Sequence, residues 1–323
     1  MKKTTQKDSN PFAYSDTNKR YHTYEYYLRQ TFGRKCAKIP VDAGLTCPNI
    51  DGRCGTGGCI YCSGRGSGDF APSPDLGIAE QIAVGRRSLG SKWNTDFCIP
   101  YFQAHTNTYA PLSVLRPKFE EALAQDGVVG LNIATRADCL EDDTLEYLAE
   151  LSERTVLTVE LGLQTVHDST ALLINRGHLY RDFLEGYNRL RSAGGRINVC
   201  LHLILGLPGE DDQMMMESAR VVARLHPEMI KIHLLHILRG TVLEQMYLRG
   251  DYTPLERERY IDLVVRTLEV LPGDIVIARL TGDAPGDLLV APDWSVKKTT
   301  IVNDIDKELY RRGSFQGAKV RNV

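Results

Sequence analysis

Val156-Leu-Thr-Val-Glu-Leu-Gly-Leu163 is an apolar run broken by a single carboxylate, and Val199-Cys-Leu-His-Leu-Ile-Leu205 repeats the pattern with a histidine. Strands of that composition are covered on both faces, which is the condition of a parallel sheet flanked by helices. Working outward from these two runs, strands are expected at 36–45, 96–103, 128–135, 156–163, 197–205, 229–236 and 275–280. Helical periodicity fills the intervals at 76–89, 111–125, 142–152, 180–192, 211–225 and 254–271. Thr253-Pro254-Leu255-Glu256 supplies the last helix with an N-cap, a first-turn proline and a capping-box glutamate. Regular alternation of strand and helix implies right-handed crossovers and either a barrel or a doubly wound sheet.

Polar residues gather where the expected strands end. Gln103, Thr106 and Asn107 follow one strand, and Thr135, Arg136 and Asp138 follow the next. Glu160 and Gln164 come after those, then Pro208, Gly209 and Glu210. The C-terminal ends of barrel strands line an active-site mouth, so one site can collect all of these groups.

The loop after the first strand is Leu45-Thr-Cys-Pro-Asn-Ile-Asp-Gly-Arg-Cys-Gly-Thr-Gly-Gly-Cys-Ile-Tyr-Cys62. Cys59 and Cys62 form a C-x-x-C, and Cys47 stands apart from them. An iron–sulfur cubane of four irons held by three cysteines leaves one iron open to an outside ligand. Gly52, Gly55, Gly57 and Gly58 let the backbone wrap a bulky cluster, and their N–H groups can reach its sulfides. The rival reading adds Cys54 as a fourth thiolate and closes a structural zinc site. Zinc ribbons use two C-x-x-C pairs, whereas here only one exists.

With 323 residues, 42% of them hydrophobic, and a formal charge of -2, the chain can bury one large core and has no general polyanion-binding character. No apolar run reaches the roughly 20 residues of a membrane span, and the N-terminus lacks a signal-peptide core, so a cytoplasmic location without a membrane partner is expected. Eight cysteines in such a setting read as metal ligands or small core residues rather than disulfides. Cys36, Cys98, Cys139 and Cys200 sit beside apolar neighbours and are read as core, and Met214-Met-Met216 as helix packing. The first 38 residues carry nine Lys or Arg against three Asp or Glu, interleaved with Tyr21, Tyr24, Tyr26 and Tyr27. This basic, Tyr-rich segment, with a short helix at 21–32, reads either as a nucleic-acid-binding arm that includes Lys2, Lys3, Lys7 and Lys38, or as a tail docked on its own barrel.

The cysteine pattern on a βα-repeat chain resembles the radical S-adenosylmethionine superfamily. Seven segments narrow the resemblance to the YhcC/YtqA-type family, related to the radical domain of the Elongator catalytic subunit. They are Cys47-Pro-Asn-Ile-Asp-Gly, Gly57-Gly-Cys-Ile-Tyr-Cys62, Tyr101-Phe-Gln-Ala-His-Thr-Asn-Thr-Tyr109, Thr135-Arg-Ala-Asp-Cys139, Glu160-Leu-Gly-Leu-Gln-Thr165, Asn175-Arg-Gly-His178 and Gly206-Leu-Pro-Gly-Glu210. The resemblance implies an α/β fold, a partial (β/α)6 TIM-like barrel spanning 36–283, with an N-terminal extension over 1–35 and a C-terminal extension over 284–323 packed on the barrel. It implies a 4Fe-4S cluster on Cys47, Cys59 and Cys62 whose open iron takes S-adenosyl-L-methionine.

By matched position, the resemblance puts Tyr61 near the adenine and the 103–107 segment, with Gln103, Thr106 and Asn107, at the methionine amino end. Arg136, Glu160 and Gln164 become candidates for the cofactor carboxylate, the ribose or the substrate, and Ile204 and Gly206 for the adenine wall. His202 departs from the glycine common at its position. Glu160 has a structural alternative as a salt-bridged barrel residue paired with Arg136, and Gln103 and Asn107 as turn-stabilising amides. The family relation points to the wobble uridine of a tRNA as substrate, with a radical acting on its carboxymethylaminomethyl side chain en route to the aminomethyl form. A flavodoxin- or ferredoxin-type protein would be the electron donor. A small metabolite or a protein side chain is the alternative substrate, a zinc-stabilised RNA-binding protein without catalysis is the further alternative, and the oligomeric state is left open.

Overall fold

The computed structural model describes residues 12–90 and 96–320. The chain runs through α1 (Tyr24–Phe32), β1 (Ala37–Val41), α2 (Ile78–Gly90), β2 (Cys98–Phe102), α3 (Leu112–Leu123), β3 (Gly130–Thr135), α4 (Asp142–Arg154) and β4 (Val156–Gln164). It continues with α5 (Asp168–Leu173), α6 (Tyr180–Ser192), β5 (Asn198–Leu205), α7 (Asp212–Leu225), β6 (Met229–Leu234) and β7 (Ile237–Leu238). Last come α8 (Val242–Arg249), α9 (Arg257–Val270), β8 (Val276–Arg279), β9 (Leu289–Ala291) and α10 (Lys298–Arg311).

Strands β1 to β6 and then β8 pair in that order, every neighbour parallel. An order that never reverses excludes a doubly wound sheet and is that of a barrel left open between its first and last strands. The curl shows in one contact set: the Glu160 carboxylate on β4 touches side chains from β1, β3, β5 and β6. In a flat sheet β1 would lie roughly 14 Å away. The sheet carries the seven strands read from the sequence, one beyond the six-fold repeat that the resemblance implies, because α9 delivers β8 onto the edge of β6.

Outward-facing apolar residues of the strands, such as Ile39, Ile133, Val159 and Leu201, pack with helix residues Ile82, Phe119, Leu148 and Val264 in one continuous core. The helices α2, α3, α4, α6, α7 and α9 each bury one stripe against it.

The open edge and the bottom of the barrel are met by the N-terminal segment. Ile277 donates its N–H to the His22 carbonyl at 2.8 Å, and Thr23 bridges Ile277 in parallel. Leu28 packs with Cys36 and Ile99, while Tyr24 and Tyr27 reach Cys200, Met229 and Val276. Tyr21 is buried in the main core. Three of the four tyrosines of this segment, Tyr21, Tyr24 and Tyr27, are therefore spent on the barrel, whose apolar bottom they cover, while Tyr26 packs edge-on against His22. Lys19 pairs with Asp306 and Arg29 with Asp16. Lys2, Lys3 and Lys7 lie outside the described residues.

Helix α9 starts at Arg257, not at 254, and its N-cap Glu256 makes no side-chain cap bond. Leu255 turns into the core and Tyr252 donates its hydroxyl to the Gly206 carbonyl at 2.6 Å, so packing overrides the Thr253 cap signal. Cys36, Cys98, Cys139 and Cys200 are buried, as read from the sequence, and Met215 and Met216 pack under α7. The C-terminal helix α10 sends Ile301, Ile305 and Leu309 into the core. Among the described residues, no helix is long and apolar enough to cross a membrane.

Candidate functional site

A cavity of about 520 Å³ opens among the C-terminal ends of the strands. Its wall holds Cys47, Cys59 and Cys62 from the loop after β1, Gln103 and Thr106 after β2, Arg136 after β3, Gln164 at the end of β4 and Ile204 near the end of β5.

The cysteine loop is held by two asparagines. Asn49 is fully buried, and its amide nitrogen donates to the Asn175 carbonyl and lies 3.8 Å from the Cys59 sulfur. Asn175 answers by donating to the Gly58 carbonyl at 2.7 Å and the Thr56 carbonyl at 3.1 Å. This closeness needs glycine: a Cβ on Gly55 would stand 2.3 Å from the Asn49 side-chain oxygen, and one on Gly177, itself at φ +81°, 2.6 Å from it. Ile60 donates to the Ile174 carbonyl at 3.1 Å and accepts from Leu243 at 2.9 Å, which anchors the C-x-x-C turn from both sides.

Three of the loop's four cysteines share the cavity wall, while Cys54 is exposed and outside it. The Cys62 thiol donates toward Cys59, and this bond, together with the Arg136 charge, draws the Cys59 thiol down to about 7, while the same bond, with burial next, raises Cys62. A thiol that ionises near neutrality is ready to ligate metal. The donor set thus fits a three-thiolate cluster with an open position. A closed zinc site would require Cys54 to leave the surface.

The floor of the cavity is a charged layer inside the barrel. Glu160, 1% exposed, accepts from Lys38 at 2.6 Å, Asn132 at 2.8 Å, His202 at 2.8 Å and Lys231. Lys231 also donates to the Tyr101 hydroxyl at 3.0 Å. Burial opposes the charge on Glu160, but Lys231 and then Lys38 outweigh it and hold the carboxyl well below its usual range. Burial lowers His202 to about 4, so it serves as a neutral donor. Glu160, Cys200 and His202 are the only described trio of possible ligands within 4.8 Å of one another. With two ammonium groups on the carboxylate and the Cys200 thiol pushed up to about 12 by burial and Glu160, the trio opposes a cation.

Most of the residues anticipated from sequence reach the cavity, with exceptions. Asn107 is fully buried behind the wall, and its amide donates to the Ala104 and Ala134 carbonyls at 3.0 and 2.9 Å, the turn-stabilising alternative. Gly206 backs onto Leu255 and Tyr252 rather than the cavity. Arg136 pairs with Asp138 at 2.7 and 2.9 Å, not with Glu160, and caps the Arg176 carbonyl at 2.8 Å. Gln164 sits at φ +58° on a bulge, and its amide, oriented to satisfy the nearby carbonyls, folds back on Gly162 and Leu163. His202 lines the cavity and bonds Glu160 at its floor.

Sequence reasoning passed over Lys38, Lys231 and Arg176. Lys38 counted as part of the basic arm, yet its ammonium lies in the barrel, 3.9 Å from the Tyr101 ring centre. Lys231 interrupts the apolar run Met-Ile-Lys-Ile-His-Leu as Glu160 interrupts its own, and that was the available signal. Arg176, 1% exposed, donates to the carbonyls of Leu163, Thr165 and His178 and so ties the segment that carries Asn175 to β4.

Residues 50–222 match the profile of the Radical SAM superfamily, and residues 227–311 that of the Radical SAM C-terminal domain. The uncharacterized protein YtqA of Bacillus subtilis is 52% identical over 309 residues, covering 96% of this chain and 95% of YtqA. A tRNA uridine(34) acetyltransferase of Methanocaldococcus jannaschii is 25% identical, over 88% of this chain and 58% of that enzyme. The solved structure of Methanocaldococcus infernus Elp3 matches with a TM-score of 0.64 at 19% identity, over 86% of this chain and 63% of that one, a likeness of fold.

Proposed function

The chain belongs to the radical SAM superfamily, and from that premise we propose that it binds a 4Fe-4S cluster and S-adenosyl-L-methionine in the cavity and acts on a uridine of tRNA. The observation that carries the cluster reading is the separation of cysteines: Cys47, Cys59 and Cys62 on one wall, Cys54 on the surface. Cys47, Cys59 and Cys62 would hold the cluster, which would supply an electron for reductive cleavage of the S-adenosylmethionine sulfonium and so the radical chemistry of the family. The protein's own part is to hold and to screen. Asn49 and Asn175 fix the thiol loop, Arg136 adds positive charge beside the thiolates, and Tyr61 closes the wall against Ile174 and Leu207. Gln103, Thr106, Gln164 and Ile204 line the space where S-adenosylmethionine would lie.

The tRNA part is supported by the kinship with a tRNA uridine(34) acetyltransferase over most of this chain. In this reading the substrate is the carboxymethylaminomethyl side chain of the wobble uridine, and the product its aminomethyl form. Nucleoside mass spectrometry of tRNA from a strain lacking the gene tests it. Carboxymethylaminomethyluridine should accumulate at the expense of aminomethyl derivatives, and an unchanged nucleoside profile would refute the assignment. A flavodoxin- or ferredoxin-type protein is the proposed electron donor.

A further inference from the structure

We infer that the barrel floor receives an anionic group of the substrate, with Lys38 and Lys231 as the residues that select it. The inference rests on the functional reading above and extends it to the chemistry of the substrate. Two ammonium groups share one carboxylate here: Lys38 lies 2.6 Å from one oxygen of Glu160, and Lys231 is bonded to the other. The carboxylate's other partners, the Asn132 amide and the His202 imidazole, carry no charge. His233, also on the cavity wall, is kept neutral by burial, and its Nε2 has no partner. The neighbouring strand repeats the imbalance, because Arg279, the register partner of Lys231 on β8, and Lys298 both pair with Asp283, Arg279 at 2.8 Å.

A structural ion pair needs one lysine for its carboxylate. A second, held inside a barrel, is a charge without a counterion, which costs free energy until an anion arrives. Lys231 registers that cost. Its ammonium is held down to about 7, first by burial and then by Lys38 and Arg279, against the pull of Glu160 and a weaker one from Cys200. Donors are also to spare. Lys231 uses two of its three N–H groups, on Glu160 and Tyr101, and Lys38 bonds only Glu160 among the described residues while its side chain keeps 23% exposure on the cavity side. A carboxylate entering from the mouth would meet both ammonium groups and restore neutrality. The carboxymethylaminomethyl side chain ends in such a group and the aminomethyl form lacks it, so the floor distinguishes substrate from product by charge.

The test uses cluster-loaded protein and two small probes, N-acetylglycine and its neutral amide, titrated by calorimetry near neutral pH. The acid should bind about tenfold or more tighter than the amide, a difference of about 1.4 kcal/mol. Lys38→Met and Lys231→Met should erase the preference while amide binding stays as in the wild type. Equal wild-type affinities for acid and amide would overturn the inference, as would a preference that survives in both variants; the first comparison needs no variant to fold. An anticodon stem-loop carrying carboxymethylaminomethyluridine, run beside one carrying aminomethyluridine, separates the two layers of the argument. If neither stem-loop binds but N-acetylglycine is preferred, the tRNA assignment fails and the floor stands. If both stem-loops bind equally and the small acid is not preferred, the floor inference fails and the tRNA assignment survives.

Discussion

Glu160 and Lys231 are bonded to each other, yet removing one should not cost what removing the other does. Glu160→Gln keeps the shape but leaves Lys38 and Lys231 side by side without an anion, and should lower unfolding stability by about 3–5 kcal/mol. Lys231→Met leaves Glu160 with Lys38, Asn132 and His202, and urea unfolding at pH 7 should place it within about 1 kcal/mol of the wild type. The pH dependence has a definite sign. Lys231 titrates near 7 in the fold and ordinarily near 10.5. Between those values the unfolded chain holds the proton and the folded protein has released it, so this group's contribution to stability rises with pH across that window. Lys231→Met should lose that rise, which denaturation at pH 7 and pH 9.5 would reveal. At this scale the sequence is informative where a lone charge breaks an apolar strand. It is silent about Asn49, whose partner Asn175 is 126 residues away and whose own neighbourhood reads as an ordinary turn.

The loop between β1 and α2 is an element without regular structure, and its shape depends on contacts from elsewhere. Gly177→Ala would push a methyl into Asn49 at a left-handed φ. Iron per protein after anaerobic reconstitution should fall several-fold, while the melting temperature shifts little, because the strands beneath keep their core. Helix α1 predicts the reverse. Leu28→Ala opens a hole beneath the barrel and should cost about 2–4 kcal/mol with the iron content unchanged. The seven parallel strands were legible because buried apolar runs have only one kind of sheet to enter. The shorter pieces α5, α8, β7 and β9 were not, since six or eight residues hold too few turns for a period, and the β7–β9 pairing joins chain far apart in sequence. The start of α9 was misread because a local cap signal lost to the burial of Leu255.

Across the whole molecule, a curled parallel sheet gathers the ends of its strands around one cavity, with the thiols at the mouth and a charged layer at the floor. The net charge is only -2, so any tRNA contact must come from local patches rather than an overall field. Binding should still weaken with salt, by roughly 0.9 log units per log unit of salt for each duplex phosphate neutralised and somewhat less for single-stranded contacts, which filter binding from 50 to 300 mM would measure. One assay tests the role of the three thiols: anaerobically reconstituted protein, reduced with dithionite and given S-adenosylmethionine, is scored for 5'-deoxyadenosine. The wild type and Cys54→Ala should both produce it, and Cys47→Ala, Cys59→Ala and Cys62→Ala should produce none. A wild-type protein that holds zinc, lacks iron and sulfide and leaves S-adenosylmethionine intact would contradict the account.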